Sequence, residues 1–175
     1  MRGEVKTMRK QNDDKDNRDR RCNLIFRGIE QTNSSKDWDT TENIIKDLIR
    51  DKLGIVKEVI FERVHRLAGT PFSLAGRPII ARFSFFKDKE HVLRNAFNLK
   101  GSEISIDEDF SPRMRGIRSK LLAKRRQILA CDSTAKVRLR FDKLFVNSEL
   151  GKRVYIYDDE LNVVKELISI NQPQS

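Results

Sequence analysis

The chain has 175 residues and 20.5 kDa, room for one ordinary domain or two small ones, with 38% hydrophobic and 35% charged residues. Thirty-six Lys and Arg against 26 Asp and Glu leave a net charge of +10 and a pI near 9.8, which favours a polyanionic partner. No run approaches the roughly 18 apolar residues of a membrane helix, and Cys22 and Cys131 are too few for a disulfide framework.

These features predict a protein neither membrane-embedded nor secreted, resident in cytoplasm or nucleus. Residues 1–21 hold eight cations, five acids and hardly any apolar residue. Residues 1–19 therefore read as a disordered, solvated or partner-ordered tail, with the globular part starting at Arg20. Cys22 to Ile29 is a short apolar run closed by Gly28, a buried strand. A polar loop holding Trp38 leads to Asp39, which with Glu42 predicts a capping box. Ile44, Ile45, Leu48, Ile49 and Leu53 recur at helical spacing until Gly54. Val59 to Leu67 is β-rich, and Gly69 to Gly76 reads as a loop. Arg77 to Ser84 is a strand with Pro78 near its start. Lys87 to Leu99 is helical, with Val92, Leu93, Ala96 and Phe97 on one side, and Ile104 and Ile106 mark a fourth strand.

The predicted fold class is α+β. The order β-α-β-β-α-β over residues 20–110 is the ferredoxin-like, split βαβ arrangement, also the order of an RNA-recognition-motif-type domain. A small α+β C-terminal domain over 111–170 follows. Ser111-Pro112 caps a helix with Met114, Ile117, Leu121 and Ile128 as its apolar stripe. Pro112 to Gln127 carries Arg113, Arg115, Arg118, Lys120, Lys124, Arg125 and Arg126 and no acid. Val137 to Phe141 alternates, which turns Val137, Leu139 and Phe141 to a core and Arg138 and Arg140 outward. Leu144 to Val146 and Val154 to Tyr157 flank a turn at 147–152. Leu161, Val164 and Ile168 predict a closing helix, and 171–175 a loose tail.

Enzyme chemistry is not expected. Neither His65 nor His91 stands at metal-ligand spacing from a cysteine, and no glycine-rich phosphate loop occurs. Asp107-Glu108-Asp109 is the acidic cluster that suggests a nuclease-type metal site, but consecutive strand residues point to alternate faces. It reads as a charged strand end pairing with nearby arginines, so neither metal nor cofactor is expected. Cys22 reads as a small buried hydrophobe, Cys131 as a helix-end residue, and Trp38 as a packing residue or loop anchor.

If Leu24, Phe26 and Gly28 point inward, Ile25 and Arg27 reach the open face of the first sheet. Likewise Ile79, Ala81 and Phe83 pack inward and leave Ile80 and Arg82 outside. An RNA-recognition motif stacks bases on aromatics at such positions, whereas here Ile25, Pro78 and Ile80 occupy them. The missing platform shifts affinity toward phosphate contacts and lowers sequence preference. The candidate contacts are Arg20, Arg21, Arg27, Arg63, Arg66, Arg77, Arg82, Arg94, Arg115, Arg118, Arg125, Arg138 and Arg140, expected to line one groove. The expected partner is single-stranded RNA, or single-stranded DNA, with no membrane. About six neutralised phosphates predict a roughly thousandfold loss of affinity between 50 and 200 mM salt. The alternative is a protein-interaction or structural module whose basic face meets an acidic protein.

Several motifs in this order resemble a known family. They are the run Arg20 to Ile29, Lys52-Leu53-Gly54-Ile55, Glu62 to Leu67, Arg77 to Phe83, Phe86-Lys87-Asp88-Lys89, Ile106 to Ser111, and Arg140 to Leu144. Together they cover about residues 20–160. They resemble the RNA-binding protein encoded by the first open reading frame of LINE-type retrotransposons, the transposase-22-like proteins. A second, more distant similarity is to the baculovirus few-polyhedra-type proteins. The resemblance implies an RNA-recognition-motif domain with poor stacking motifs and a small C-terminal domain that closes a basic cleft. It also implies a nucleic-acid chaperone that coats RNA in cytoplasmic ribonucleoprotein particles. The family's RNA-contacting arginines match Arg20, Arg21, Arg63, Arg66, Arg94 and Arg118. The family also carries a trimeric coiled coil ahead of the first domain, but residues 1–21 hold no heptads. Self-association therefore has no support in the sequence at hand.

Overall fold

The computed structural model describes residues 2–31, 37–68 and 76–167. The chain is α+β, and among the described residues it forms four α-helices and two antiparallel four-stranded sheets. It divides into two units, Met1–Asp109 and Phe110–Ser175, each with its own hydrophobic core. No described helix is long and apolar enough to cross a membrane.

The first unit opens with α1 (Arg2–Arg20), followed by β1 (Asn23–Arg27), α2 (Trp38–Asp51), β2 (Phe61–Arg66), β3 (Ile79–Phe83), α3 (Phe86–Asn95) and β4 (Ser105–Glu108). The helix α1 corrects the expected tail. The region lacks an apolar stripe but places partners one turn apart: Asp16 pairs with Arg20 at 2.7 Å, and the Asn17 amide donates to the Asp13 carboxylate at 3.2 Å. The sheet order is β2-β3-β1-β4, with every neighbouring pair antiparallel. Leu24 and Phe26 of β1 and Ile79, Ala81 and Phe83 of β3 are fully buried on one face. They pack with Ile45, Leu48 and Ile49 of α2 and Val92 of α3. Strand alternation and helical spacing thus converge on one core. Ile25, read as outward, is also only 7% exposed.

Helix α2 starts two residues early, with Asp37 as N-cap rather than Asp39, and the Asp37 side chain makes no cap bond. The Thr41 hydroxyl instead donates to the Asp37 carbonyl at 2.9 Å. After α3 the chain tightens into a 3₁₀ turn, Ala96–Leu99. That change of period turns Phe97 out to 70% exposure and brings Leu99 into the core. Cys22 is half-buried rather than buried. The loop expected at 69–76 lies, except for Gly76, outside the described residues.

The second unit consists of α4 (Pro112–Cys131), β5 (Lys136–Arg140), β6 (Lys143–Ser148), β7 (Gly151–Asp158) and β8 (Val163–Leu167), with sheet order β5-β6-β7-β8. The Ser111 hydroxyl caps α4 by accepting from the Met114 amide at 3.1 Å, as the Ser-Pro pair predicts. Ile117 and Leu121 pack on Leu144, Val146 and Tyr155, with Val137, Leu139 and Ile128 at the margin.

Phe141 does not face the core: it sits in the two-residue turn between β5 and β6 with φ 48°, is 46% exposed, and its ring lies 6.0 Å from that of Phe110. The closing helix is instead the strand β8, which pairs with β7 from Val154↔Leu167 to Asp158↔Val163. Asn162 takes a left-handed conformation (φ 55°) that reverses the chain, and Val163-Val164 prefer an extended backbone. Ile168 lies outside the described residues.

Candidate nucleic-acid interface

Folding sorts the candidate arginines of the first unit by what they already touch. Arg20 bridges Asp16 at 2.7 Å and Asp109 at 3.0 Å, and hydrogen bonding to Asp16 raises its pKa above the ordinary value. Arg27 pairs with Asp107 across the β1–β4 ladder at 3.1 Å, with both side chains about half exposed. Arg82 pairs with Glu62 at 2.6 Å and donates to the Asp19 carbonyl at the C-terminus of α1, where a cation suits the helix dipole.

Arg66 is an internal brace. It donates to the carbonyls of Ile29 (3.1 Å), Arg77 (2.7 Å) and Glu30 (2.6 Å). Burial, with Arg77 adding its charge, pushes its pKa below the ordinary value. Its two Nη atoms tie two connections of the sheet together, while its buried Nε has no hydrogen-bond partner among the described residues.

The others are more open. Arg63 and Arg94 are exposed, Arg77 reaches the Gln31 side chain at 3.4 Å, and Arg21 lies 5.9 Å from the Phe86 ring centre. None of these four is paired with a carboxylate among the described residues. Arg94 shares an open basic depression with Lys57, Lys87 and His91, in which Lys57 pairs with Asp88 at 2.7 Å. His65, on β2, is pushed below its ordinary pKa by burial and then by Arg63.

The acidic run at 107–109 divides its charges among separate partners: Asp107 with Arg27, Glu108 with Lys89 at 2.6 Å, and Asp109 with Arg20 and Asn23. Lys89 is 3% exposed and also meets Glu90 at 3.0 Å. Helical spacing sets Lys89 three and four positions before Val92 and Leu93, on the apolar side of α3, whereas Lys87 is exposed.

The second unit brings candidates together. Arg118 and Arg125 of α4 and Arg138 and Arg140 of β5 line a groove of about 400 Å³ floored by Leu122, Val137 and Leu139. Helical spacing puts Arg118, Leu122 and Arg125 on one flank of α4, while strand alternation turns Arg138 and Arg140 away from the core. No carboxylate lines the groove. Arg118 is held in place: its guanidinium donates to the Phe141 carbonyl at 2.7 Å and lies 4.3 Å from the Phe110 ring centre. Arg125, Arg138 and Arg140 are exposed and make no ion pair among the described residues. Arg115 is exposed on α4 but does not line the groove.

The sequence reading passed over Lys136, Lys143 and Lys152, which stand on the solvent side of the second sheet with Arg138 and Arg140. The signal was the alternation Lys143-Leu144-Phe145-Val146-Asn147, in which every second residue faces out. No protein-family model and no curated protein matches this chain.

Proposed function

We propose that the protein binds single-stranded nucleic acid, RNA first, through phosphate contacts with little sequence preference. The carrying observation is the acid-free groove of Arg118, Arg125, Arg138 and Arg140. Arg125, Arg138 and Arg140, which make no ion pair among the described residues, keep their charge and donors for phosphate oxygens, while Arg118 is fixed by the Phe141 carbonyl. In the first unit, Arg21, Arg63, Arg77 and Arg94 are the cations available for the same purpose. Arg20, Arg27 and Arg82 would have to exchange a carboxylate for a phosphate, and Arg66 acts as a brace.

The element order and the antiparallel order β2-β3-β1-β4 support a ferredoxin-like, RNA-recognition-motif-type first unit. With the motif likeness of residues 20–160 they support an origin among LINE-type first-open-reading-frame proteins. On that reading the protein coats RNA in ribonucleoprotein particles and acts as a chaperone without catalysing a covalent step.

The test is fluorescence anisotropy of the full chain with single-stranded 20-mers of unrelated sequence. Replacing Arg125, Arg138 and Arg140 together by alanine removes about three phosphate contacts. On a single strand that flattens the log–log salt slope by about 2 and weakens binding at low salt on every sequence alike. An unchanged slope and affinity would remove the groove from the account.

A further inference from the structure

The solvent side of the second sheet carries a feature that phosphate binding does not use. The ladder registers put Arg138, Phe145, Val154 and Leu167 in one row across all four strands, on the face away from α4. Phe145 is 40% exposed and Leu167 38%, so no element covers the row among the described residues. The next row toward the β6–β7 turn is Lys136, Asn147 and Lys152. On the other side lies Arg140, Lys143, Ile156 and Lys165. An apolar strip with one aromatic ring is thus flanked by cations on both sides. Lys136, Arg138, Phe145, Asn147, Lys152 and Val154 line a shallow hollow of about 490 Å³ with no carboxylate. Asp158, the acid on this face, is engaged by Lys165. Lys136, Arg138, Arg140, Lys143 and Lys152 make no ion pair among the described residues.

We infer that this face is a base-stacking platform for a single strand, with the Phe145 ring as the stacking surface. The inference rests on the nucleic-acid reading above and deepens it, because it names where a base, rather than a phosphate, is held. Rows on one face of a strand repeat about every 6.8 Å and neighbouring strands lie about 4.8 Å apart. Cations therefore flank the ring within reach of the backbone of a nucleotide stacked on it. Val154 and Leu167 extend the apolar surface beneath a flat base. A protein docking site of this size would also use the apolar strip, but five unpaired cations around one aromatic ring match a polyanion with flat apolar faces. Arg138 belongs to both this face and the α4–β5 groove, so one strand can turn around β5 from phosphate contacts onto the ring.

The experiment compares the full-length protein with Phe145→Leu, which keeps an apolar side chain and removes the ring face. The probes are a labelled uridine dodecamer and the same ribose-phosphate backbone without bases. The inference predicts that Phe145→Leu weakens uridine-dodecamer binding by about 5- to 150-fold, the range of one lost stacked base. It leaves the salt slope and the abasic affinity unchanged, and Phe145→Trp restores binding with quenching of the added indole emission. If wild type and Phe145→Leu bind the dodecamer alike, or the new indole is not quenched, the platform is wrong while phosphate binding stands. If wild type binds neither probe at low salt, the nucleic-acid reading itself falls. Polyglutamate binding that is as tight as RNA binding and equally sensitive to Phe145→Leu would make the face an acidic-protein dock and overturn the inference. A melting curve on each variant checks the fold, and Phe145→Trp carries the test should the leucine variant melt early.

Discussion

Gly28 shows how much one position at the end of a strand can decide. Its φ is 78°, and a Cβ there would stand 2.1 Å from the Glu103 carbonyl oxygen, closer than any side chain tolerates. Glycine is needed both for the left-handed turn and for the close approach of the chain entering β4. Gly28→Ala is expected to cost about 2–4 kcal/mol, through the left-handed penalty plus displacement of a backbone carbonyl. Urea unfolding measures it, and an unchanged midpoint would show that the contact is soft. Among the arginines, residue identity was legible and role was not. Arg63 and Arg66 stand three positions apart on one strand, yet Arg63 is open while Arg66 holds three carbonyls. Strand alternation puts Arg66 on the face of buried Val64 and Arg63 on the other, but the carbonyls that Arg66 meets belong to two distant connections, which no local pattern carries. The same holds for Lys89, whose partner Glu108 lies 19 positions away.

At the scale of elements, β1 and β3 of the first unit were legible because each is an apolar run bounded by turn residues, and α4 because Ser-Pro announces it. Two elements were not. Helix α1 lacks apolar periodicity and shows itself only in one-turn polar pairs such as Asp16–Arg20. Strand β8 was hidden because Leu161, Val164 and Ile168 happen to fall at helical spacing. The competing signal was the turn before it. The Asp158 carboxylate accepts from the amides of Glu160 at 2.9 Å and Leu161 at 3.1 Å and pairs with Lys165. The bond from Lys165 first, then those from the backbone, hold its carboxyl down from 3.8 to about 2. A lowered carboxylate pKa means the unfolded chain binds the proton more readily. This turn's contribution is therefore present above about pH 4 and fades as pH falls toward 2. The Glu160 and Leu161 amide resonances should titrate with a midpoint near 2, and Asp158→Asn should abolish that titration. A midpoint near 3.8 would mean that the turn is not held by this carboxylate.

For the whole molecule, a net charge of +10 carries no function by itself; what matters is which cations the fold leaves without internal partners. In the first unit ion pairs and carbonyls occupy Arg20, Arg27, Arg66 and Arg82, while the second unit leaves Arg125, Arg138, Arg140 and several lysines open. The clustering of charge between Pro112 and Gln127 was visible in the sequence; its meeting with β5 was not, because that depends on α4 packing across the sheet. The most direct measurement is a salt titration of the unmodified protein on two single strands of unrelated sequence between 50 and 200 mM. About six phosphate contacts at about 0.7 each give a log–log slope near −4, a loss of roughly two and a half decades, somewhat less than a duplex would show. The account predicts that slope with affinities for the two sequences within about threefold of each other. Binding that is absent at 50 mM, or that holds its strength to 200 mM, would contradict it.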